Sequence, residues 1–156
     1  MVIKRYSNNI AKNYFNKVLK NLLLQEQIDI NDKKVIFGWY EEFDIKCYVL
    51  SEENKIINII LCSKMDFDPL NKHSSPYTLN YIYTFKDFRR KNYACKMLEY
   101  IKSKEEIGCV FCNGIESTNL FKKANYVSAK VPVCEGLEEI LGNGCGEILV
   151  DIYRFP

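Results

Sequence analysis

The chain contains a single histidine, His73, in a polar stretch, so neither a multi-histidine metal site nor a histidine-activated nucleophile can be assembled from it. Long apolar runs are also missing. The greasiest, IINIILC at residues 56–62, is far too short to cross a bilayer, and the opening MVIKRYSNNIAKNYF has no apolar stretch of signal-peptide length. Nor is there an excess of charge of one sign. Lys and Arg number 22 against 20 Asp and Glu, a net +2, so no broad field draws the chain to nucleic acid or anionic lipid, and any phosphate recognition is local. Seven cysteines, an odd number without a secretion signal, favour reduced thiols over a disulfide framework. The expected setting is the cytoplasm, with no membrane and no nucleic-acid partner. What is present is ordinary for a globular domain, 47% hydrophobic and 27% charged residues, and the 156 residues suit one domain.

Apolar residues at helical spacing (Ile10, Tyr14, Phe15, Val18, Leu19, Leu22, Leu23) predict an amphipathic helix over roughly 9–26, with Ser7, Asn8 and Asn9 as capping oxygens. KKVIFGWY, DIKCYVLS and KIINIILCSKM read as strands joined by tight turns, and MDFDPLNKHSSP as a polar, mobile loop. YTLNYIYTF is a further strand. A helix follows, with Ala94, Met97, Leu98 and Ile101 on one face and Gly108 as its stop. CVFC reads as a buried strand ending at the turn Asn113-Gly114, and STNLFKKAN as a short helix capped by Ser117. YVSAKV and GEILVDIYRF close the chain as strands around a glycine-rich turn. The order implies one mixed sheet covered by helices. Cys109 and Cys112 form a CxxC that Cys134 and Cys145 could extend, but residues three apart on a strand point to opposite faces, so buried thiols are expected and no metal.

The stretch FKDFRRKNYACKML, residues 85–98, sets three consecutive cations between aromatics and then becomes helical. It can be a solvated basic loop, a grip on RNA, or an anion site. The near-zero net charge argues against RNA. Strand, basic loop and helix together make an anion site, because free amides at a helix start point outward and the helix dipole favours negative charge there.

At this point the chain resembles the GCN5-related N-acetyltransferases. Their cofactor motif is Arg or Gln, two variable residues, Gly, one residue, then Gly or Ala, placed after a strand; the match is Arg89, Arg90, Lys91, Asn92, Tyr93, Ala94. Their second signature, a short helix ending in an aromatic, polar residues and Gly-Phe, is matched by Leu120 to Tyr126. The resemblance is best over 77–127. It implies a single acyl-CoA N-acyltransferase-like domain over residues 1–156. The implied fold is α/β: a mixed, mostly antiparallel sheet of six to seven strands, splayed between its two central strands and flanked by about four helices.

The implied activity is direct transfer of acetyl from acetyl-CoA, with no metal, to an amine on a small molecule, peptide or protein, by a monomer or homodimer. A catalytically weakened domain that binds cofactor or partner is the alternative. Arg89 and the segment Arg90, Lys91, Asn92, Tyr93, Ala94 and Cys95 would wrap the pyrophosphate, chiefly with backbone amides. Ile82, Tyr83 and Thr84 would offer main-chain groups to the pantetheine arm and the oxyanion, and Asn113 a further polar contact. Asn92 stands where the family has glycine, and asparagine is among the few residues that reach positive φ without severe strain. Phe121 stands where many members have the tyrosine that protonates the leaving thiolate. Such an acid is worth roughly 10²–10⁴ in rate. A thiol of pKa about 8.5 leaves fairly well unaided, so the chemistry should be slowed and not abolished. Tyr81 and Tyr126 are the remaining candidates for proton transfer, and Asp66, Asp68 and Glu116 the loop acids.

Overall fold

The computed structural model describes residues 1–28, 39, 44–64, 75, 77–105, 107–112, 115–124, 126–128 and 147–151. The expected mobile loop at 65–76 apart from Ser75, with His73, Asp66 and Asp68, lies outside them. So do Asn113 and Gly114, the glycine-rich turn, Cys134, Cys145 and, Trp39 excepted, the strand expected at 33–40. The chain divides into two compact units, residues 1–64 with 79–97, and residues 65–78 with 98–156. Among the described residues no helix is long and apolar enough to cross a membrane.

The first unit opens with β1 (Val2–Ser7), then a helix in three parts: α1 (Asn8–Tyr14), a π-helical stretch (Phe15–Leu19) and α2 (Lys20–Gln25). β2 (Ile45–Glu52), β3 (Lys55–Lys64) and β4 (Tyr77–Thr84) follow, and hydrogen-bonded neighbours run β1-β2-β3-β4. β1 was not expected. It pairs antiparallel with β2 from Val2↔Ser51 to Ser7↔Lys46, and this partner gives structure to six residues with little strand pattern of their own. Ser7 makes no side-chain cap. Asn8 instead turns left-handed (φ 53) and its Oδ1 accepts the Ile45 N–H at 3.1 Å, adding a side-chain rung beyond the β1–β2 ladder.

The helix buries Ala11, Phe15, Leu19 and Leu23, a strict four-residue spacing, whereas Ile10, expected on that face, is 67% exposed. In a regular α-helix residues four apart drift by about 40° per step, and the apolar stripe would slide off the sheet. The π stretch, where Lys20 N–H donates to Phe15 O five residues back, absorbs that drift and keeps the stripe straight. The stripe packs on Ile45, Cys47 and Val49 of β2, Ile59 and Leu61 of β3, and Tyr83 and Phe85 at the end of β4. Trp39 is helical, which corrects the strand expected there; fully buried, it packs against Phe15 and donates Nε1–H to Lys46 O at 3.0 Å.

β2 and β3 form a hairpin closed by Glu53 and Asn54, both left-handed (φ 51 and 64), as a two-residue turn matched to strand twist requires. β3 and β4 run antiparallel: Ser63 Oγ lies 2.8 Å from Asn80 Oδ1 near one end, and Asn58 Nδ2 donates to Thr84 Oγ1 at 2.8 Å near the other.

The second unit holds the start of β4, the C-terminal half of α3 (Tyr93–Lys104), β5 (Ile107–Cys112), α4 (Ile115–Lys123), β6 (Tyr126–Ser128) and β7 (Glu147–Asp151). Neighbours run β4-β5-β7-β6, with β4 and β5 parallel and β7 antiparallel to both β5 and β6. The recorded β4–β5 ladder is short, Tyr77↔Ile107 and Thr78↔Cys109 with an irregularity between them, while β4 runs on to Thr84. Gly108 does not end the helix. It is the second residue of β5, at the irregularity between the Tyr77↔Ile107 and Thr78↔Cys109 pairs, a place in a strand that suits glycine. Ser117 likewise lies inside α4, which starts two residues earlier at Ile115, and so is not its cap. Lys102 is buried and donates Nζ to Ala124 O at 2.6 Å, meeting a carbonyl at the end of α4. The result is a mixed α and β fold on a mostly antiparallel sheet.

Candidate active site

The basic stretch between β4 and α3 lies wholly in the first unit. Phe85 N–H donates to Ile57 O at 2.9 Å, holding the strand end on β3. A single 3-10 turn follows (Lys86–Phe88), in which Phe88 N–H meets Phe85 O and Arg89 N–H meets Lys86 O. Arg90 (φ 63) and Asn92 (φ 66) are then both left-handed, and Asn92 O accepts Lys96 N–H at 3.2 Å as the first bond of α3.

From Arg90 to Cys95 no backbone amide donates a hydrogen bond among the described residues. Arg90, Lys91 and Asn92 are exposed, and Tyr93, Ala94 and Cys95 half-exposed. The two left-handed residues bend the backbone just ahead of α3, and the bend stands at the positive end of a twelve-residue helix, where negative charge is favoured. These features fit a diphosphate: donors without partners among the described residues, two exposed cations in Arg90 and Lys91, and a left-handed residue at 92 that a β-branched side chain would oppose.

A GNAT family acetyltransferase of Staphylococcus aureus superimposes with TM-score 0.53 at 21% identity, covering 88% of this chain and 100% of that one. An aminoglycoside 6'-N-acetyltransferase of Acinetobacter haemolyticus gives 0.54 at 15% identity, covering 86% and 96%. An aminoglycoside N-acetyltransferase in complex with CoA gives 0.54 at 11%, covering 85% and 96%. No family model matches the sequence, and no curated protein matches it. The chain has the GCN5-related N-acetyltransferase fold. At these identities the likeness is one of backbone fold.

Ten of the residues singled out from the sequence are brought together by the strand end, the loop and the first turn of α3: Ile82, Tyr83, Thr84, Arg89, and Arg90 to Cys95. Three of them, Arg89, Thr84 and Tyr83, are already engaged through their side chains or carbonyls. Arg89 Nε donates to Thr84 O at 3.1 Å, so the guanidinium turns back on the strand end and takes one of the carbonyls expected to stay open. It also lies over the Tyr83 ring, 5.3 Å from its centroid. Tyr83 is itself buried, stacked near-parallel on Tyr81 at 6.2 Å and edge-on to Phe85. Burial pushes the Tyr81 phenol up to about 12, with the neighbouring Tyr83 adding to it; burial and the hydrogen bond to Glu26 do the same for Tyr83. Both are neutral donors across the physiological range. Phe121 is buried on α4, and Tyr126 opens β6; Asn113 lies outside the described residues, and Glu116 lies on α4.

Two participants carry no signal in the sequence. Glu26, at the end of α2, accepts Tyr83 Oη–H at 2.8 Å and Lys86 N–H at 2.9 Å, bringing to β4 a carboxylate that the strand itself lacks. Asn58, fully buried on β3, donates to the Thr84 hydroxyl, while its Oδ1 has no partner among the described residues. Both come from segments 26 to 60 residues distant, too far for any local pattern to link them to the loop.

Proposed function

We propose that the chain, acting as one acyltransferase domain over residues 1–156, transfers acetyl from acetyl-CoA directly to a primary amine. The observation that carries this reading is the run from Arg90 to Cys95, exposed or half-exposed, whose amides donate no hydrogen bond among the described residues, with two left-handed residues at the head of α3. Acetyl-CoA, when bound, supplies the activated thioester. The amides, with Arg90 and Lys91, hold its phosphates, and the main chain near Ile82 and Thr84 receives the arm. Strand alternation supports the last role: Phe85 N–H faces β3, so the main chain of Thr84 faces away from it. With the Thr84 carbonyl held by Arg89, the group left without a partner among the described residues is the Thr84 N–H, the polarity an oxyanion needs. The solved neighbours named for aminoglycosides support an amine acceptor.

A second reading has its own observation. Phe121, buried and without a proton to give, stands where the tyrosine acid is usual, which favours a domain that binds cofactor or a partner and turns over slowly. Thermal shift with acetyl-CoA, then turnover on polyamines, aminoglycosides and lysine peptides, separates the two. Stabilisation with turnover supports the transferase; stabilisation without it supports the binding module; neither removes both.

A further inference from the structure

One carboxylate, at the end of the first helix, bridges the end of β4 and the start of the turn that leads into the basic loop. Glu26 Oε1 accepts Tyr83 Oη–H at 2.8 Å from the strand and Lys86 N–H at 2.9 Å from the turn, while Oε2 stands 3.4 Å from the same N–H. That N–H opens the 3-10 turn and needs an acceptor, yet the residue before it, Phe85, has no side chain able to accept. Tyr83 in turn carries Arg89 on its ring, and Arg89 holds Thr84 O, so the contacts run from Glu26 through Tyr83 and Arg89 to the point where the loop leaves the sheet.

Glu26 is itself placed with care. The helix closes with Gln27 N–H on Leu24 O and Ile28 N–H on Leu23 O, both at 3.0 Å, and Gln27 is left-handed at φ 65 without being glycine.

We propose that Glu26 is a positioning residue: it sets the conformation of the loop 86–92 from which the phosphates of the cofactor are held. The cofactor part rests on the reading under Proposed function. Both short bonds end on one oxygen, so Glu26→Gln can keep them in weakened, uncharged form, whereas Glu26→Ala keeps neither. The expected result is a loss of acetyl-CoA affinity of about threefold for Glu26→Gln and about tenfold or more for Glu26→Ala, seen in KM more than in kcat.

A readout that needs no cofactor is tryptic cleavage after the exposed Arg89, Arg90 and Lys91. Glu26→Ala should be cut there about tenfold faster than wild type, through local opening, and Glu26→Gln near the wild-type rate. Tyr83→Phe, which removes one donor and keeps the ring beneath Arg89, should fall between them. Unchanged cleavage and affinity in Glu26→Ala would overturn the proposal. So would a Glu26→Gln variant with kcat lost and KM intact, which marks a proton acceptor. Wild type that ignores acetyl-CoA would end the cofactor reading, and the cleavage rates alone would then decide whether Glu26 holds the loop.

Discussion

Asn92 combines two demands at one position: its φ of 66 calls for glycine or asparagine, and its amide belongs to the bare run at the head of α3. Asn92→Val should therefore weaken acetyl-CoA binding by at least tenfold while shifting the melting temperature by only a few degrees, because the loop is exposed and shares little of the core. Calorimetric titration beside a melting curve checks this, and an unchanged affinity would mean that the backbone at 92 has no special role. The neutral groups of the first unit make a pH prediction. Burial raises Cys47 from 9.0 to about 12, and Tyr14, Tyr81 and Tyr83 from 10.0 to about 12. Each folded value exceeds the unfolded one, so the stability they contribute is complete below pH 9 and is lost as pH climbs toward 12. Urea midpoints should hold level from pH 7 to about 8.5 and fall beyond pH 9, with a shallower fall between 9 and 10 in Cys47→Ala.

At the level of elements, the first helix shows local pattern and tertiary need in conflict. Its sequence carries an apolar face that includes Ile10, but the sheet selects Ala11, Phe15, Leu19 and Leu23, and the π stretch is the compromise. Its end shows the same conflict, since Gln27 occupies a left-handed position at a cost of roughly 1 kcal/mol relative to glycine. Gln27→Gly should raise the melting temperature by roughly 2–4 °C and leave Glu26 in place, so acetyl-CoA affinity should not fall. A drop in melting temperature would show that the Gln27 side chain contributes contacts of its own. The hairpin turn at Glu53 and Asn54 follows the same backbone logic, and there the sequence signal was plain.

For the whole molecule, ligand linkage sets the scale of the central test. At a hundred times its Kd, acetyl-CoA stabilises the folded state by about 2.7 kcal/mol, which for a chain of this length is a rise of roughly 5–10 °C. A response of that size would be hard to produce by a loop that merely carries solvated cations. The same measurement in high salt separates the amide cradle from a diffuse basic patch, whose affinity would fall steeply.

Much of this was written locally. The strands β2 to β5, the helix after the loop and the bare amides at its head follow from apolar period, turn residues and the strand–basic loop–helix order, all of which act within a dozen residues. Asn92 announced its own backbone for the same reason. Other features were decided only when distant segments met. β1 exists because β2 offers it a ladder, and Asn58 reached the Thr84 hydroxyl from 26 residues away. Glu26 reached the start of the loop from 60 residues away. Hydrogen bonds between such segments depend on where the packed sheet puts their ends, and no spacing along the chain encodes that distance.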